Sequence, residues 1–440
     1  MSLPQYFDNP EGYFEECLNF FQEYQYLFKY SNTDLLIYNI LDKITVKEEN
    51  ITEFTDVFND DFDLNSTSDE YLSTFFIKLK KLQVFYDDIL EDSMENNINV
   101  PVSPKKKHEI LHLAKEIKDV CETVGCDVVV DFGSGLGYLD QLLFEKTNYR
   151  ILGIECNESH YVGAKIRQRK YHANSTDNVK YIKHTVTENS HENIQTYLHD
   201  KFKNHREFCI TGLHACADLT IDAINLFIKM ADAKAMVIMP CCYHKMVSGG
   251  GVFKNFPQSN CLRNIIGRFT SEEYMGVPFL RLAAQPPSVD AKLQDLVFNL
   301  LSRAVLQTFA FRHNCKLRRN KRKAVKTKNM DNNFEVYLED ATTKGFTLIK
   351  TESSDNNDNV ENPEFCLEEL RTLWTQLSQL TFKKAGIFIH LQNYLQPVIE
   401  NFVLFDRLVF LKEMGVKHCE FKRILNVKTS PRCLALLAFK

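Results

Sequence analysis

The stretch Asp127-Val128-Val129-Val130-Asp131-Phe132-Gly133-Ser134-Gly135-Leu136-Gly137 decides the fold of this 440-residue chain. Its first half is a short apolar run, which is typical of a strand buried in a parallel sheet. Three of the chain's 16 glycines then fall within five residues, and a helical pattern follows them. A glycine-rich turn in this context lets the backbone approach a bound ligand closely. The stretch therefore predicts a ligand-binding strand–turn–helix unit.

Strands and helices alternate on the carboxyl-terminal side of this turn. Apolar runs predict four more strands, at Arg150–Cys156, Val179–Val186, Phe208–His214 and Ala233–Pro240. Helical patterns lie between them, at Leu139–Lys146, Ser159–Tyr171 and Thr220–Ala231. Strands that alternate with helices indicate βαβ units and a parallel sheet.

The end of the chain predicts how this sheet is completed. A long helix is predicted at Phe388–Met414, and strands at Cys419–Val427 and Cys433–Phe439. Only five residues separate these strands, whereas a parallel crossover needs about a dozen or more, so the strands must form an antiparallel hairpin. Five parallel strands, a helix and a closing hairpin are typical of class I methyltransferases. We predict an α/β fold with a seven-stranded, Rossmann-like sheet whose last strand is antiparallel.

Helical patterns dominate the sequence before the glycine-rich turn. Aromatic residues recur at helical spacing from Tyr13 to Phe28 and from Tyr71 to Phe85, as expected for amphipathic helices. Ser103 and Pro104 predict the N-cap and the first position of a third helix, which ends near Gly125.

These patterns predict four parts along the chain. They are a helical amino-terminal region at 1–102, the first part of the methyltransferase core at 103–245, an insertion at 246–382, and the closing helix and hairpin of the core at 383–440. Within the insertion, Glu352–Glu361 is polar and of low complexity, so it is predicted to be a loop.

Composition favours a soluble intracellular protein. Apolar residues make up 44% of the chain and charged residues 25%, as in globular proteins. No apolar run approaches the ~18 residues of a membrane span, so no membrane association is expected. The amino terminus lacks the basic and apolar regions of a secretory signal, and the 13 cysteines are expected to be reduced. We expect the protein in the cytoplasm, the nucleus or both.

Charge is distributed unevenly along the chain. Residues 1–100 carry 6 basic and 21 acidic side chains, although the whole chain has a net charge of only −5. Nine basic residues and no acid occur from Arg312 to Lys328. Such density fits contact with RNA phosphates, a nuclear targeting signal or a solvated helix face.

Two acidic residues bracket the glycine-rich turn. Asp131 is at the carboxyl end of the first strand, where a carboxylate can bind a cationic amino group and would repel a pyrophosphate. Glu155 ends the second strand, where an acid can accept hydrogen bonds from both hydroxyls of a ribose. S-adenosylmethionine, which has an amino-acid end and a nucleoside end, fits this pattern, whereas NAD fits poorly. The predicted cofactor-binding residues are Asp131, Gly133, Ser134, Gly135, Gly137 and Glu155.

Polar residues also follow the fourth and fifth strands, in His214-Ala215-Cys216-Ala217-Asp218 and Cys241-Cys242-Tyr243-His244. The ligand crevice of an open α/β sheet lies outside the carboxyl ends of its strands. In an acceptor pocket there, a neutral histidine could remove a proton or orient the acceptor. The predicted catalytic residues are His214, Asp218, Tyr243 and His244.

Three other interpretations of these residues stay open. Cys241 or Cys242 could attack a pyrimidine as a covalent nucleophile. The side chains of Cys216, Cys241, Cys242, His214 and His244 have the chemistry of zinc ligands, but their spacing matches no standard zinc pattern, and we predict no metal. The cysteines could also be small buried residues with a packing role.

Several strings together resemble the methyltransferase-like protein 25 family. They are Ser103-Pro104-Lys105-Lys106-Lys107-His108-Glu109, the glycine-rich turn, the two strings after the fourth and fifth strands, Phe405-Asp406-Arg407-Leu408 and Ser430-Pro431-Arg432. Ala217 departs from the pattern, since the resemblance leads us to expect glycine there. The resemblance covers about residues 103–440 and, more loosely, the helical amino terminus. It implies a class I, S-adenosylmethionine-dependent methyltransferase.

The acceptor is less determined than the fold. The strings after the fourth and fifth strands also distantly resemble those of a tRNA 2′-O-methyltransferase family, which favours RNA as the acceptor and a protein as the alternative. No acceptor motif such as Asn-Pro-Pro-Tyr follows the fourth strand. The rival interpretation is therefore a methyltransferase fold kept as a catalytically inactive binding or scaffold protein.

Overall fold

The fold is described from a computed structural model. The described residues are 3–47, 69–87, 89, 102–203, 207–249, 252–269, 273–286, 292–321, 324–325, 331–351 and 363–440. The α-helices are α1 (Pro10–Glu23), α2 (Glu70–Leu82), α3 (Pro104–Val124), α4 (Tyr138–Thr147), α5 (Glu158–Tyr171), α6 (His191–Lys201), α7 (Leu219–Lys229), α8 (Asn260–Ile266), α9 (Val277–Ala283), α10 (Leu293–Arg312), α11 (Phe334–Asp340), α12 (Leu367–Thr375) and α13 (Gln379–Glu413). The strands are β1 (Val128–Phe132), β2 (Arg150–Glu155), β3 (Val179–Lys183), β4 (Phe208–Cys216), β5 (Ala233–Cys241), β6 (Ser248–Gly249), β7 (Val252–Phe253), β8 (Cys315–Arg319), β9 (Phe346–Lys350), β10 (His418–Arg423) and β11 (Leu434–Phe439).

Two compact units make up the chain. Unit 1 consists of Met1–Asn19, Leu82–Ser288 and Gln396–Lys440, and unit 2 of Phe20–Lys81 and Val289–Leu395. Each unit combines segments that are distant in the sequence. The four-part division along the sequence stays a prediction.

Unit 1 contains a seven-stranded sheet in the order β10-β11-β5-β4-β1-β2-β3. Strands β1 to β5 pair in parallel, while β11 is antiparallel to both β5 and β10. The predicted α/β fold, with its closing antiparallel hairpin, is therefore confirmed. The β10–β11 connection is too short for a crossover, so the pairing direction follows from connection length.

Helix α3 begins and ends where its sequence predicts. The Ser103 hydroxyl accepts a hydrogen bond from the backbone N–H of Lys106 at 3.2 Å, which satisfies one free donor of the first turn. Gly125 ends the helix in the left-handed region, with φ 76°. Helix α6, by contrast, was not predicted from the sequence. Only Ile194 and Leu198 are buried along it, so its apolar stripe is too short to stand out.

The predicted insertion contains folded elements. Strands β8 and β9 pair antiparallel in unit 2, and α10 packs with them in an apolar cluster that includes Phe309 and Leu348. Lys316, Arg318 and Arg319 of the basic run lie on strand β8, which excludes a helix face for them. The low-complexity stretch Glu352–Glu361 lies outside the described residues.

One of the strings that carries the resemblance stabilises the fold of unit 1. Both carboxylate oxygens of Asp406 are hydrogen-bonded, to the backbone N–H groups of Gln258 at 2.6 Å and Ser259 at 2.9 Å. The Ser259 hydroxyl also donates to this carboxylate and caps α8 by accepting from the N–H of Leu262. Asp406 thus fixes the start of α8 from within the core.

Within the described part of the chain, none of the helices combines the length and the apolar character required to cross a bilayer.

Candidate functional site

The glycine-rich turn leaves the end of β1, whose residues are all buried. Gly133, Gly135 and Gly137 have φ angles of 77°, 58° and 72°, a region that glycine enters without steric cost. At Gly137 an added Cβ would collide with the hydroxyl of Tyr181. The turn is therefore a bare backbone cradle that larger residues could not form.

Asp131 lies at the mouth of this turn and is buried. Its Oδ1 has no hydrogen-bond partner among the described residues, while its carboxyl group shares a hydrogen bond with that of Asp140. Burial is the main reason that the pKa of Asp131 is raised to about 6, and the Glu155 charge acts in the same direction. Burial and the charge of Asp131 also raise the pKa of Asp140. The positive charge near Asp131 and Asp140 is therefore too small to offset the burial of their two carboxyl groups.

Lys106, in the first turn of α3, is the basic residue that interacts with this pair. Burial lowers the pKa of Lys106, whereas the negative charges of Glu109, Asp131 and Asp140 oppose that effect. His108, also in this helix, contacts the segment between β10 and β11. Its Nε2 accepts the backbone N–H of Asn426 at 3.0 Å.

Glu155 closes the other side of the turn. Its Oε2 accepts the backbone N–H of Gly135 at 2.9 Å, and its Oε1 accepts that of Asn157 at 2.7 Å. The Cys156 thiol also donates to Oε1 at 3.7 Å. A carboxylate has about four lone-pair sites, so Oε2 retains capacity for a ligand hydroxyl. Asp131 and Glu155 thus border one turn, as expected for a shared ligand.

The six residues predicted to bind a cofactor come together around this turn. Ser134 belongs to the same set, since its buried hydroxyl has no hydrogen-bond partner among the described residues. Orphaned polar atoms at Asp131 and Ser134 and the open cradle fit a ligand with a cationic amino group and a ribose. The binding roles themselves stay predictions.

His214 lies beside a buried carboxylate that the sequence analysis did not assign to the site. Its Nε2 is 3.3 Å from Oε2 of Glu109, whose Oε1 accepts the hydroxyl of Ser430 at 2.9 Å. Burial opposes the ionisation of Glu109, but the contacts with His214 and Ser430 and the charge of Lys105 outweigh it and lower its pKa. The signal was present in the sequence, because Glu109 and Ser430 both fall in strings that carry the resemblance.

Asp218 and Tyr243 have partners within the protein. The carboxylate of Asp218 accepts the backbone N–H of Val247 at 2.8 Å and the side-chain amide of Asn255 at 2.7 Å. Tyr243 is buried, and its hydroxyl donates to Glu400 at 2.9 Å. These contacts hold the segment after β5, and the catalytic roles of both residues stay predictions.

His244 is half-buried, and its Nδ1 has no hydrogen-bond partner among the described residues. Burial and the nearby charges of Arg281, Lys245 and Arg432 lower its pKa. A neutral imidazole with an uncommitted nitrogen is suited to accept a proton or a hydrogen bond.

The thiols predicted as alternative nucleophiles or ligands form a cluster. Cys216 Sγ and Cys241 Sγ are 3.0 Å apart, and Cys242 completes a group whose sulfur atoms all lie within 4.8 Å of one another. The two histidines of the metal alternative are not part of this group. The packing interpretation fits Cys241, which is buried, better than Cys216 and Cys242, which are half-exposed.

The described part of the basic run lies in unit 2. Arg312, Lys316, Arg318, Arg319 and Lys321 are all exposed. Lys321 lies 3.8 Å from the carboxylate of Asp340. Arg322, Lys323, Lys326 and Lys328 lie outside the described residues.

Comparison with known proteins shows which domain family the central segment of the chain matches. Residues 105–249 match the model of a methyltransferase domain family. The chain is 26% identical over 254 residues to Probable methyltransferase-like protein 25 of Mus musculus, a match that covers 55% of this chain and 39% of that protein. The protein of the same name from Homo sapiens is 35% identical over 66 residues, or 15% of this chain and 11% of the relative. The chain thus spans about two fifths or less of the length of these curated relatives.

Solved structures of low similarity were also found. The plantazolicin methyltransferase BamL, in complex with a triazolic desmethylPZN analog and SAH, is 13% identical with a TM-score of 0.23, covering 62% of this chain and 80% of that chain. The methyltransferase domain of bacterial CtHen1 is 11% identical with a TM-score of 0.22, covering 51% and 93%.

Proposed function

Because this chain carries a methyltransferase domain at residues 105–249 and is a relative of methyltransferase-like protein 25, we propose that it is an S-adenosylmethionine-dependent methyltransferase. The observation that carries this proposal is the buried Oδ1 of Asp131, which lacks a hydrogen-bond partner among the described residues. An unsatisfied buried carboxylate oxygen costs free energy. The ammonium group of the methionine part has the charge and the donors to satisfy it.

In the proposed complex, the protein binds both ends of the cofactor. Asp131 binds the amino group, the backbone from Gly133 to Gly137 faces the methionine part, and Glu155 accepts hydrogen bonds from the ribose hydroxyls. The cofactor supplies an electrophilic methyl group on a sulfonium. Transfer is an in-line displacement, so the main task of the protein is to orient the acceptor against that methyl group.

His214 is our candidate for the residue that orients the acceptor or removes its proton. Glu109 holds the ring nitrogen of His214, and Ser430 holds Glu109. A histidine supported by a buried carboxylate keeps one ring orientation and stabilises the charge it gains with a proton. His244 is the second candidate, because its Nδ1 is uncommitted among the described residues.

We further propose RNA as the acceptor, with a protein as the alternative. The exposed basic side chains on and around β8 support RNA, since Lys and Arg bind phosphates in a salt-dependent way. Cytoplasmic or nuclear residence belongs to the same proposal, and the basic run would suit a nuclear targeting signal.

The rival is a fold that binds the cofactor without transferring its methyl group. The internal hydrogen bonds of Asp218 and Tyr243 support this rival, because they occupy polar atoms of two side chains that are predicted to act in catalysis. The pair His214 and Glu109 argues against it.

Calorimetry with S-adenosylmethionine tests the pocket. We expect Asp131→Ala to weaken binding about a hundredfold or more, the loss of a charge-assisted contact in a buried site. Asp127→Ala is the matched control, because Asp127 is near the start of the same strand and pairs with Arg150 on the surface. Equal affinity of a folded Asp131→Ala variant and the control would overturn the proposal.

Transfer of a labelled methyl group into fractionated cell RNA and cell protein then tests activity. Label in RNA that is absent with Asp131→Ala supports the proposed acceptor, and label in protein supports the alternative. Cofactor binding without label in either fraction supports the rival, inactive fold.

A further inference from the structure

Three cysteine side chains meet at the carboxyl ends of β4 and β5. The sulfur atoms of Cys216, Cys241 and Cys242 all lie within 4.8 Å of one another. Cys241 is buried, whereas Cys216 and Cys242 are half-exposed. The group is therefore sheltered on one side and accessible on the other.

The backbone departs from regular strand geometry at the points that bring these thiols together. The pairing of β4 with β5 shifts between Gly212 and Ala215, and beyond that shift Cys216 pairs with Cys241. Successive side chains of a regular strand point to opposite faces, so Cys242 would point away from Cys241. Cys242 instead has φ 52°, and its thiol joins the other two.

A left-handed conformation is costly for a residue other than glycine. Two residues here adopt it. Ala217, with φ 55°, directly follows Cys216, and Cys242, with φ 52°, directly follows Cys241. The backbone N–H of Ala217 donates to the carbonyl of Cys241 at 3.0 Å, which ties the two strand ends together. Costly backbone that is fixed in this way is typical of functional sites.

Another group of thiols shows what packing alone produces. Cys121, Cys126 and Cys209 are buried within the apolar core of unit 1, which leaves no access for an ion. Cys216 and Cys242 differ in being accessible at the edge of the sheet where ligands bind.

We infer that Cys216, Cys241 and Cys242 bind a zinc ion as three thiolate ligands. Thiolates are common ligands of zinc, a borderline-soft cation, and each thiol that binds it releases its proton to solvent. Three protein ligands leave a fourth position open, as in zinc sites that hold a water or a substrate atom. The spacing of these cysteines matches no standard zinc pattern because the ligands come from two strand ends and not from one loop.

This inference goes beyond the proposed methyl transfer and does not depend on it. The full chain, produced in zinc-supplemented medium and dialysed under reducing conditions, should retain about one zinc per chain by mass spectrometry of the metal. Cys216→Ser and Cys242→Ser should each lower that content roughly tenfold or more. Cys261→Ser and Cys366→Ser, which change accessible cysteines outside the cluster, are the matched controls and should retain the zinc.

Cobalt provides a second readout that needs no variant to fold. Co²⁺ added to the reduced, metal-free chain should produce the thiolate-to-cobalt charge-transfer absorption, and zinc should abolish it. A zinc-free chain without this absorption overturns the inference. Retention of zinc in a folded Cys216→Ser variant also overturns it, and so does a Cys216–Cys241 disulfide that persists in reducing buffer.

Discussion

Polar residues lie at the carboxyl ends of β1 and β2, the first edge, and at the carboxyl ends of β4 and β5, the second edge. The hydrogen bonding of these residues differs between the two edges. At the first edge, Asp131 keeps a buried oxygen without a partner among the described residues, and Glu155 holds the glycine-rich turn with capacity to spare. At the second edge, Asp218 and Tyr243 are hydrogen-bonded within their own unit. Position at the end of a strand therefore does not make a side chain reactive. What matters is the hydrogen-bonding capacity that the fold leaves unused.

After Asp131→Ala, the largest effect is expected at the first edge from Glu155→Ala. If the spare lone pairs of Glu155 bind the ribose, their loss should weaken S-adenosylmethionine binding about a hundredfold, since a hydrogen bond to a charged group contributes about 1.5–3 kcal/mol. Calorimetry measures this change. Glu158→Ala, which removes a nearby exposed acid paired with Lys183, should bind normally. Equal affinities of the two variants would mean that Glu155 supports only the turn.

At the second edge, Glu109→Gln should lower kcat about tenfold with little change in the KM for the cofactor. Glutamine keeps the shape of the side chain but removes the negative charge that holds His214. Steady-state kinetics of labelled methyl transfer measure both constants. Glu116→Gln on the same helix, whose carboxylate pairs with Lys422 at 2.9 Å, is the control. A change in KM alone would contradict a positioning role for Glu109.

Acid should weaken cofactor binding through the first edge. Because the pKa of Asp131 is raised to about 6, protonation removes the charge that attracts the ammonium group, and affinity should fall about tenfold per pH unit below 6. A carboxyl whose pKa is raised by folding stabilises the fold when protonated, and that contribution is lost as the pH rises through 6. Affinity and this stability contribution should thus change in opposite directions between about pH 7 and pH 5. Calorimetry measures the affinity, and the difference in urea unfolding between the unmodified protein and Asp131→Asn measures this contribution. Parallel changes of the two quantities would contradict the assignment.

Tyr243→Phe should affect stability and leave methyl transfer unchanged. The substitution removes the hydrogen bond to Glu400, with an expected loss of about 2 kcal/mol in the free energy of unfolding. Glu400 would retain Arg432 at 3.2 Å. Urea unfolding and the transfer assay separate the two effects. A large loss of transfer in a stable variant would support the catalytic role predicted from the sequence.

The smallest effect concerns Ala217, where the resemblance predicted glycine. Its φ of 55° is unfavourable for alanine, so Ala217→Gly should raise the free energy of unfolding by up to about 1 kcal/mol. Ala215→Gly, two residues earlier on β4, should lower it by about the same amount, because it removes a buried methyl group and adds backbone entropy. Urea unfolding of both variants decides the matter. Destabilisation by Ala217→Gly would show that the Ala217 side chain contributes more than its strain costs.

Much of the fold was predictable from local patterns. The apolar run before Gly133, the capping pair Ser103 and Pro104, and the short connection before β11 each act over a few residues, and each prediction is confirmed. The miss at α6 has the same origin, since two apolar residues one turn apart form too weak a pattern.

The sequence by itself determined the parallel sheet, its antiparallel close and the glycine-rich turn with an acid on each side. These follow from strand periodicity, connection length and the conformational freedom of glycine, all of which are local. Only the tertiary structure decided which residues at the strand ends keep unused hydrogen-bonding capacity. Three features depend on contacts between residues far apart in the sequence. They are the support of His214 by Glu109 and Ser430, the hydrogen bond from Tyr243 to Glu400, and the meeting of the three thiols. No local pattern encodes such contacts, because they depend on how the elements pack.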